Sequence, residues 1–221
     1  MRNGFFRILG FKISKGLMVE KVKQKQIRAF IAIELSQEFE EALAHLQARL
    51  KLGWESAVKW VEPKGVHLTL KFLGNIPEGM VPEVTEAIAA VARSVAPFHL
   101  ELSQLGAFPN LGAPKVVWIG LGGDVESLLR LQRGIDRALV SLSFAAEARD
   151  FSPHLTLGRV RDRATLQQRR QLGLELSSLK AQEQLSLYVD KVSLMRSKLT
   201  AAGAIYSRLA AVQLALPTSP C

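Results

Sequence analysis

The tetrapeptide His-Leu-Thr-Leu occurs twice in this 221-residue chain, at residues 67–70 and 154–157, a spacing of 87 residues. In an extended strand, residues i and i+2 project to the same face. His67 and Thr69 therefore share one face, and Leu68 and Leu70 share the other; His154 and Thr156 stand against Leu155 and Leu157 in the same way. The leucines can anchor each strand in a core while an imidazole and a hydroxyl sit side by side on a polar face. Such a duplication predicts two similar lobes, each with one motif strand and a long amphipathic helix nearby.

Periodicity elsewhere agrees with that plan. Residues 28–33 read as a strand, Ser36 as a helix N-cap, and Phe39, Leu43, Leu46 and Leu50 as one apolar stripe. Strands are predicted over 57–61 and 66–73 around the turn Glu62-Pro63-Lys64-Gly65, and a helix between Pro82 and Ser94. Two further strands, 98–105 and 116–121, precede a helix capped by Asp124 and striped by Leu128, Leu131, Ile135, Leu139 and Leu142. The strand 154–160, a helical stretch over 164–172 and two alternating segments, 184–195 and 204–214, complete the pattern. Short turns between neighbouring strands favour a mixed or antiparallel sheet, so the expected class is α+β.

Hydrophobic residues make up 48% of the chain and charged residues 22%, and its length suffices to bury a core without disulfides. The one cysteine, Cys221, is the last residue, which excludes an internal disulfide framework. No apolar run reaches the roughly 18 residues of a membrane-spanning helix, so a soluble, cytoplasmic protein is expected. Of the net charge of +9, residues 1–26 contribute six, from seven Lys and Arg against Glu20. That segment lacks the apolar stretch of a secretory signal. It reads as a basic extension, a disordered tail or translated sequence upstream of a start at Met18. Residues 27–214 are expected to form one bilobal domain, and 215–221 a loose tail. No partner protein is implied, and a monomer is expected.

Two imidazoles and two hydroxyls suit a reaction in which one proton is delivered and one removed while a negative oxygen is held. Phosphodiester cleavage is such a reaction. Imidazole, with a pKa of about 6.5, can serve as base or acid near neutral pH, and Thr69 and Thr156 can donate to phosphate oxygens. A lone His-x-Thr is ordinarily just the outward face of a half-exposed strand, but two identical tetrapeptides weigh against that. A metal site needs three or more ligands. Only His45 and His99 remain, neither in a motif, and both read as structural or surface residues. No metal or cofactor is expected.

The segments Ile27-Arg-Ala-Phe-Ile-Ala-Ile-Glu-Leu35, Val66-His-Leu-Thr-Leu-Lys-Phe-Leu-Gly74, Phe151-Ser-Pro-His-Leu-Thr-Leu-Gly-Arg159 and Leu194-Met-Arg-Ser-Lys-Leu199 resemble the RNA 2',3'-cyclic phosphodiesterase branch of the 2H phosphoesterases, also called the 2'-5' RNA ligase family. The resemblance implies a bilobal α+β fold with pseudo-twofold symmetry, helices outside and a cleft between two antiparallel sheets. It further implies hydrolysis of RNA-terminal 2',3'-cyclic phosphates to 2'-phosphomonoesters, with neither metal nor nucleotide cofactor. His67 would then protonate the leaving 3'-oxygen and His154 would activate water. Near-identity of the motifs leaves acid and base interchangeable on the residues alone. Ligation of 2'-5' junctions would be the related transfer in which an RNA 5'-hydroxyl attacks in place of water.

Arg159 and Arg196 could each meet a phosphate or remain solvated surface residues, and Phe30 could stack on a base, with core packing favoured. Met195 stands where the family more usually has Phe, and Lys198 where it often has Arg. Two alternatives remain on the sequence: a phosphodiesterase using the same residues on a small cyclic nucleotide or an ADP-ribose cyclic phosphate, and a non-catalytic RNA-binding protein.

Overall fold

The computed structural model describes residues 25–179, 185–201 and 203–215. The basic segment before Lys25 and the residues after Ala215 lie outside the described residues, as do residues 180–184. The chain runs β1 (Gln26–Glu34), α1 (Gln37–Lys51), β2 (Val58–Trp60), β3 (His67–Pro77), α2 (Val81–Ala92), β4 (Phe98–Phe108) and β5 (Val116–Gly123). It continues through α3 (Val125–Val140), β6 (His154–Val160), α4 (Leu166–Ser178), β7 (Ser186–Val189), β8 (Lys191–Leu199) and β9 (Ala204–Gln213).

The strands form two sheets, ordered β3-β1-β8-β9 and β2-β6-β5-β4-β7, and every pairing is antiparallel. The α+β class follows. In both sheets the motif strand pairs with the strand preceding a long helix: β3 with β1 around α1, and β6 with β5 around α3. The lobes differ at their margins. β3 is an edge strand, whereas β6 is covered on its far side by β2.

Helix boundaries follow local chemistry. The Ser36 hydroxyl accepts from the Phe39 N–H at 3.3 Å and the Asp124 carboxylate from the Ser127 N–H at 2.9 Å, so both long helices begin on side-chain caps. Phe39, Leu43, Leu46 and Leu50 of α1, and Leu128, Leu131, Ile135 and Leu139 of α3, are all buried in the main core. Leu68, Leu70, Leu155 and Leu157 join that core, as alternation requires.

One expected element is divided. The alternating segment 184–195 is two strands broken at Asp190, with β7 on the edge of the five-stranded sheet and β8 inside the four-stranded one. Alternation specifies a strand but not its sheet, and the chain crosses between lobes here. At the other end of the last strand, the Ala215 N–H donates to the carbonyls of Ala92 and Val95. Among the described residues, no helix is long and apolar enough to cross a membrane.

Candidate active site

Both motif strands carry a one-residue bulge at the same place. In the β1/β3 ladder Ala32 faces Thr69 and Ile31 faces Lys71, so Leu70 is the extra residue. In the β5/β6 ladder Trp118 faces Thr156 and Val117 faces Gly158, so Leu157 is the extra residue. Each bulge lies on the last leucine of its tetrapeptide and reverses the alternation beyond it. Leu70 and Lys71 are consequently both buried, as are Leu157 and Gly158. Phe72 and Arg159 come round to the side of the histidines.

Each histidine is held by the same contact. The Nδ1–H of His67 donates to the Gly65 carbonyl at 3.0 Å, and that of His154 to the Ser152 carbonyl at 2.7 Å, two residues upstream in each case. A carbonyl only accepts, so Nδ1 carries a proton in both rings and Nε2 is the atom left for a substrate.

Their surroundings differ. The His67 ring packs against Phe30, with centroids 4.6 Å apart, and edge-on against Tyr206 at 4.9 Å. This burial pushes the His67 pKa below the ordinary imidazole value, against smaller opposing effects of the Gly65 carbonyl and of Glu34, which lies directly opposite His67 on β1. Glu34 is itself gripped by both arms of Arg208, at 2.7 and 2.6 Å, which holds its carboxyl below the usual range. His154 instead meets Phe108 edge-on at 4.9 Å and Trp118 at 6.1 Å.

Two adjoining cavities carry these groups. The first, of about 250 Å³, is lined by His67, Thr69 and Phe72 from one sheet and by Thr156 and Arg159 from the other. The second, of about 450 Å³, is lined by His154, Phe108, Arg149 and Phe151. Thr69 and Phe72 border both. The two histidines thus flank a shared wall, and both threonines line the cavity on the His67 side, Thr69 bordering the other as well.

A family model described as the 2'-5' RNA ligase superfamily matches residues 36–200, a span that takes in both motif strands. The chain belongs to the 2'-5' RNA ligase superfamily. An RNA 2',3'-cyclic phosphodiesterase of Methanothermobacter thermautotrophicus is 35% identical over 189 residues, covering 86% of this chain and 100% of its own. A protein of the same name from Aquifex aeolicus is 31% identical over 186 residues, covering 83% of this chain and 95% of its own. Among solved structures, TT0787 of Thermus thermophilus superposes with a TM-score of 0.70 at 28% identity, covering 85% of this chain and 98% of its own. Apo LigT of E. coli gives 0.65 at 25% identity, covering 87% and 99%. The bilobal 2H phosphoesterase fold expected from the motifs is the fold observed.

Within this superfamily member the remaining candidates separate. Arg159 lines the first cavity, while Arg196 lines neither and its guanidinium stands 3.8 Å from the Glu78 carboxylate. Phe30 is buried beneath the His67 ring in a small cluster with Ala32 and Met195. His45 and His99 are exposed and line neither cavity. Among the described residues, no group of three or more His, Cys, Asp or Glu is placed to hold a metal ion.

Sequence reasoning missed Arg28, Phe72 and Tyr206, all of which line the first cavity. Arg28 was within reach, because it lies two residues before Phe30 on one strand. Phe72 was not, because plain alternation assigns it to the other face.

Proposed function

We propose that this phosphoesterase opens the 2',3'-cyclic phosphate at an RNA end to a 2'-phosphomonoester, with its two histidines carrying the protons and no metal ion. The observation that carries this is the paired arrangement of His67 and His154. Each has Nδ1 tied to a backbone carbonyl and Nε2 free, on either side of a wall bordered by both cavities.

In that reaction His154 Nε2 takes a proton from water as the water oxygen attacks phosphorus. The P–O3' bond breaks and His67 Nε2 delivers its proton to O3'. The hydroxyls of Thr69 and Thr156, with Arg159, hold the non-bridging oxygens as charge accumulates. Burial favours neutral His67 in the open cavity, and the incoming phosphate anion opposes that, so His67 becomes an acid when substrate is bound. Assignment of His67 as acid follows the family resemblance. With an RNA 5'-hydroxyl replacing water as the nucleophile, the same groups would join a 2'-5' linkage, and the reverse of that step would cleave one.

The test is incubation of the protein, with EDTA, on a short RNA ending in a 2',3'-cyclic phosphate, with products resolved as 2'- or 3'-phosphate. Opening to the 2'-phosphate is expected, with kcat lower by roughly 10² or more in both His67→Ala and His154→Ala. A 3'-phosphate product, or full activity in either variant, refutes the assignment.

A further inference from the structure

The first cavity extends well beyond the reacting phosphate. Arg28 lies on β1 six positions from Glu34, the residue opposite His67, and four from Ala32, the residue opposite Thr69. This ladder has a second bulge, at Leu73, and like the one at Leu70 it falls on β3, so β1 runs regularly, and at about 3.3 Å per residue these separations are roughly 20 and 13 Å along the strand. Arg28 faces Ser197 directly on β8, and Ser197 faces Tyr206 directly on β9. All three line the cavity that holds His67, and the Tyr206 ring reaches back from this row to touch the His67 ring. The space is therefore continuous from the Arg28 row to the histidine.

Charge gives the space a direction. Among the described residues no carboxylate lines the first cavity, to which the two sheets contribute Arg28 and Arg159, whereas in the second Glu147 and Asp150 are balanced by Lys71 and Arg149. A nucleic-acid strand leaving the reacting end meets only cations among the Lys, Arg, Asp and Glu side chains of the first, and an even balance of charge in the second. Arg28 stands roughly 13 Å of strand away from the position opposite Thr69, which places it for an anion farther along the cavity than the reacting phosphate.

Resting on the cyclic-phosphate substrate proposed above, we propose that Arg28 and Ser197 form a second phosphate subsite. It takes a phosphodiester on the 5' side of the terminal nucleotide and makes the enzyme favour oligoribonucleotide ends over mononucleoside 2',3'-cyclic phosphates. Arginine supplies the paired donors and charge for a phosphodiester, and the serine hydroxyl a third donor.

The experiment compares wild type, Arg28→Ala and Arg28→Lys on a mononucleoside 2',3'-cyclic phosphate and on a short oligoribonucleotide ending in the same residue. The ratio of kcat/KM for the oligonucleotide to that for the mononucleoside is expected to fall about tenfold or more in Arg28→Ala. Arg28→Lys should recover part of it, and the salt dependence of oligonucleotide KM should become shallower by about one counterion in Arg28→Ala. An unchanged ratio overturns the subsite, whether activity falls on both substrates or on neither. Should wild type open neither substrate, the proposed reaction is wrong. The subsite is then decided by fluorescence anisotropy with a labelled oligoribonucleotide bearing a 3'-phosphate: weaker binding by Arg28→Ala supports it, and equal binding overturns it.

Discussion

Phe72 and Arg159 occupy equivalent positions in the two lobes, each five residues after its motif histidine and each turned toward the cleft by a bulge on the preceding leucine. The same backbone device presents an aromatic ring from one sheet and a cation from the other. Phe72 is 64% exposed, unusual for a phenylalanine beside a core strand, and it borders both cavities. The pseudo-twofold relation thus extends past the histidines to the groups that would meet the nucleotide.

The residue after the bulge on β6 is a glycine packed against β2. A Cβ on Gly158 would stand 2.7 Å from Val58 Cγ1 and 3.0 Å from the Trp60 ring, both on β2. Gly158→Ala should therefore cost about 1–3 kcal/mol through overpacking, measured by urea denaturation. A change within about 0.5 kcal/mol would mean that β2 gives way freely.

Gln47 of α1 supports the same bulge from the core. Its amide donates to the carbonyls of Leu157, the bulged residue, and Val61, both at 2.9 Å. Gln47→Leu should cost about 1 kcal/mol by taking the donor from the part-buried Val61 carbonyl. The Leu157 carbonyl keeps the Val61 N–H, so the larger share of the loss falls on Val61 and the β2 end. Hydrogen exchange should show faster opening there than in β4.

Lys71, which the bulge on β3 turns inward, is 4% exposed, pairs with Asp136 of α3 and donates to the Ala145 carbonyl at 2.8 Å. Asp136 also accepts from the Glu147 N–H. Lys71 thus ties β3 to the segment leading into His154, of which Glu147 and residues 149–152 wall the second cavity. Lys71→Met should destabilise by about 1–3 kcal/mol, because the half-buried Asp136 loses its cation while keeping the Glu147 N–H and the Ala145 carbonyl loses a donor, and Lys71→Met with Asp136→Leu should recover part of it. Thermal unfolding of the three proteins checks this.

His67 should titrate below the free imidazole value of about 6.5, because burial against Phe30 and Tyr206 disfavours its cation. Phe30→Ala should raise the value by admitting water. Glu34→Gln should lower it further, because it removes the nearby negative charge. The unfolded chain takes up this proton before the folded protein does. Stability from this residue is therefore complete above the free value and lost as pH falls through it toward the folded value. Proton NMR of the ring as a function of pH reads each shift, and titration of wild-type His67 above the free value would overturn the account.

His-Leu-Thr-Leu by itself determined that two strands would each set an imidazole and a hydroxyl on one face above core leucines, because period-two alternation leaves no other arrangement within four residues. The apolar stripes of α1 and α3 and the caps Ser36 and Asp124 were equally local, and both helices form where the caps place them, α3 ending at Val140, short of Leu142 at the end of its stripe. Beyond the fourth residue of each motif local rules fail. Only the pairing of β3 with β1 and of β6 with β5 reveals the bulges that bury Lys71 and bring Phe72 and Arg159 into the cleft. Tertiary structure alone set Arg196 against Glu78, brought Arg28, Ser197 and Tyr206 into one row from three separated strands, and sent β7 and β8 to different sheets. Each of these is a register between residues distant in sequence, settled by the packing of two sheets around one core, and no local period encodes it.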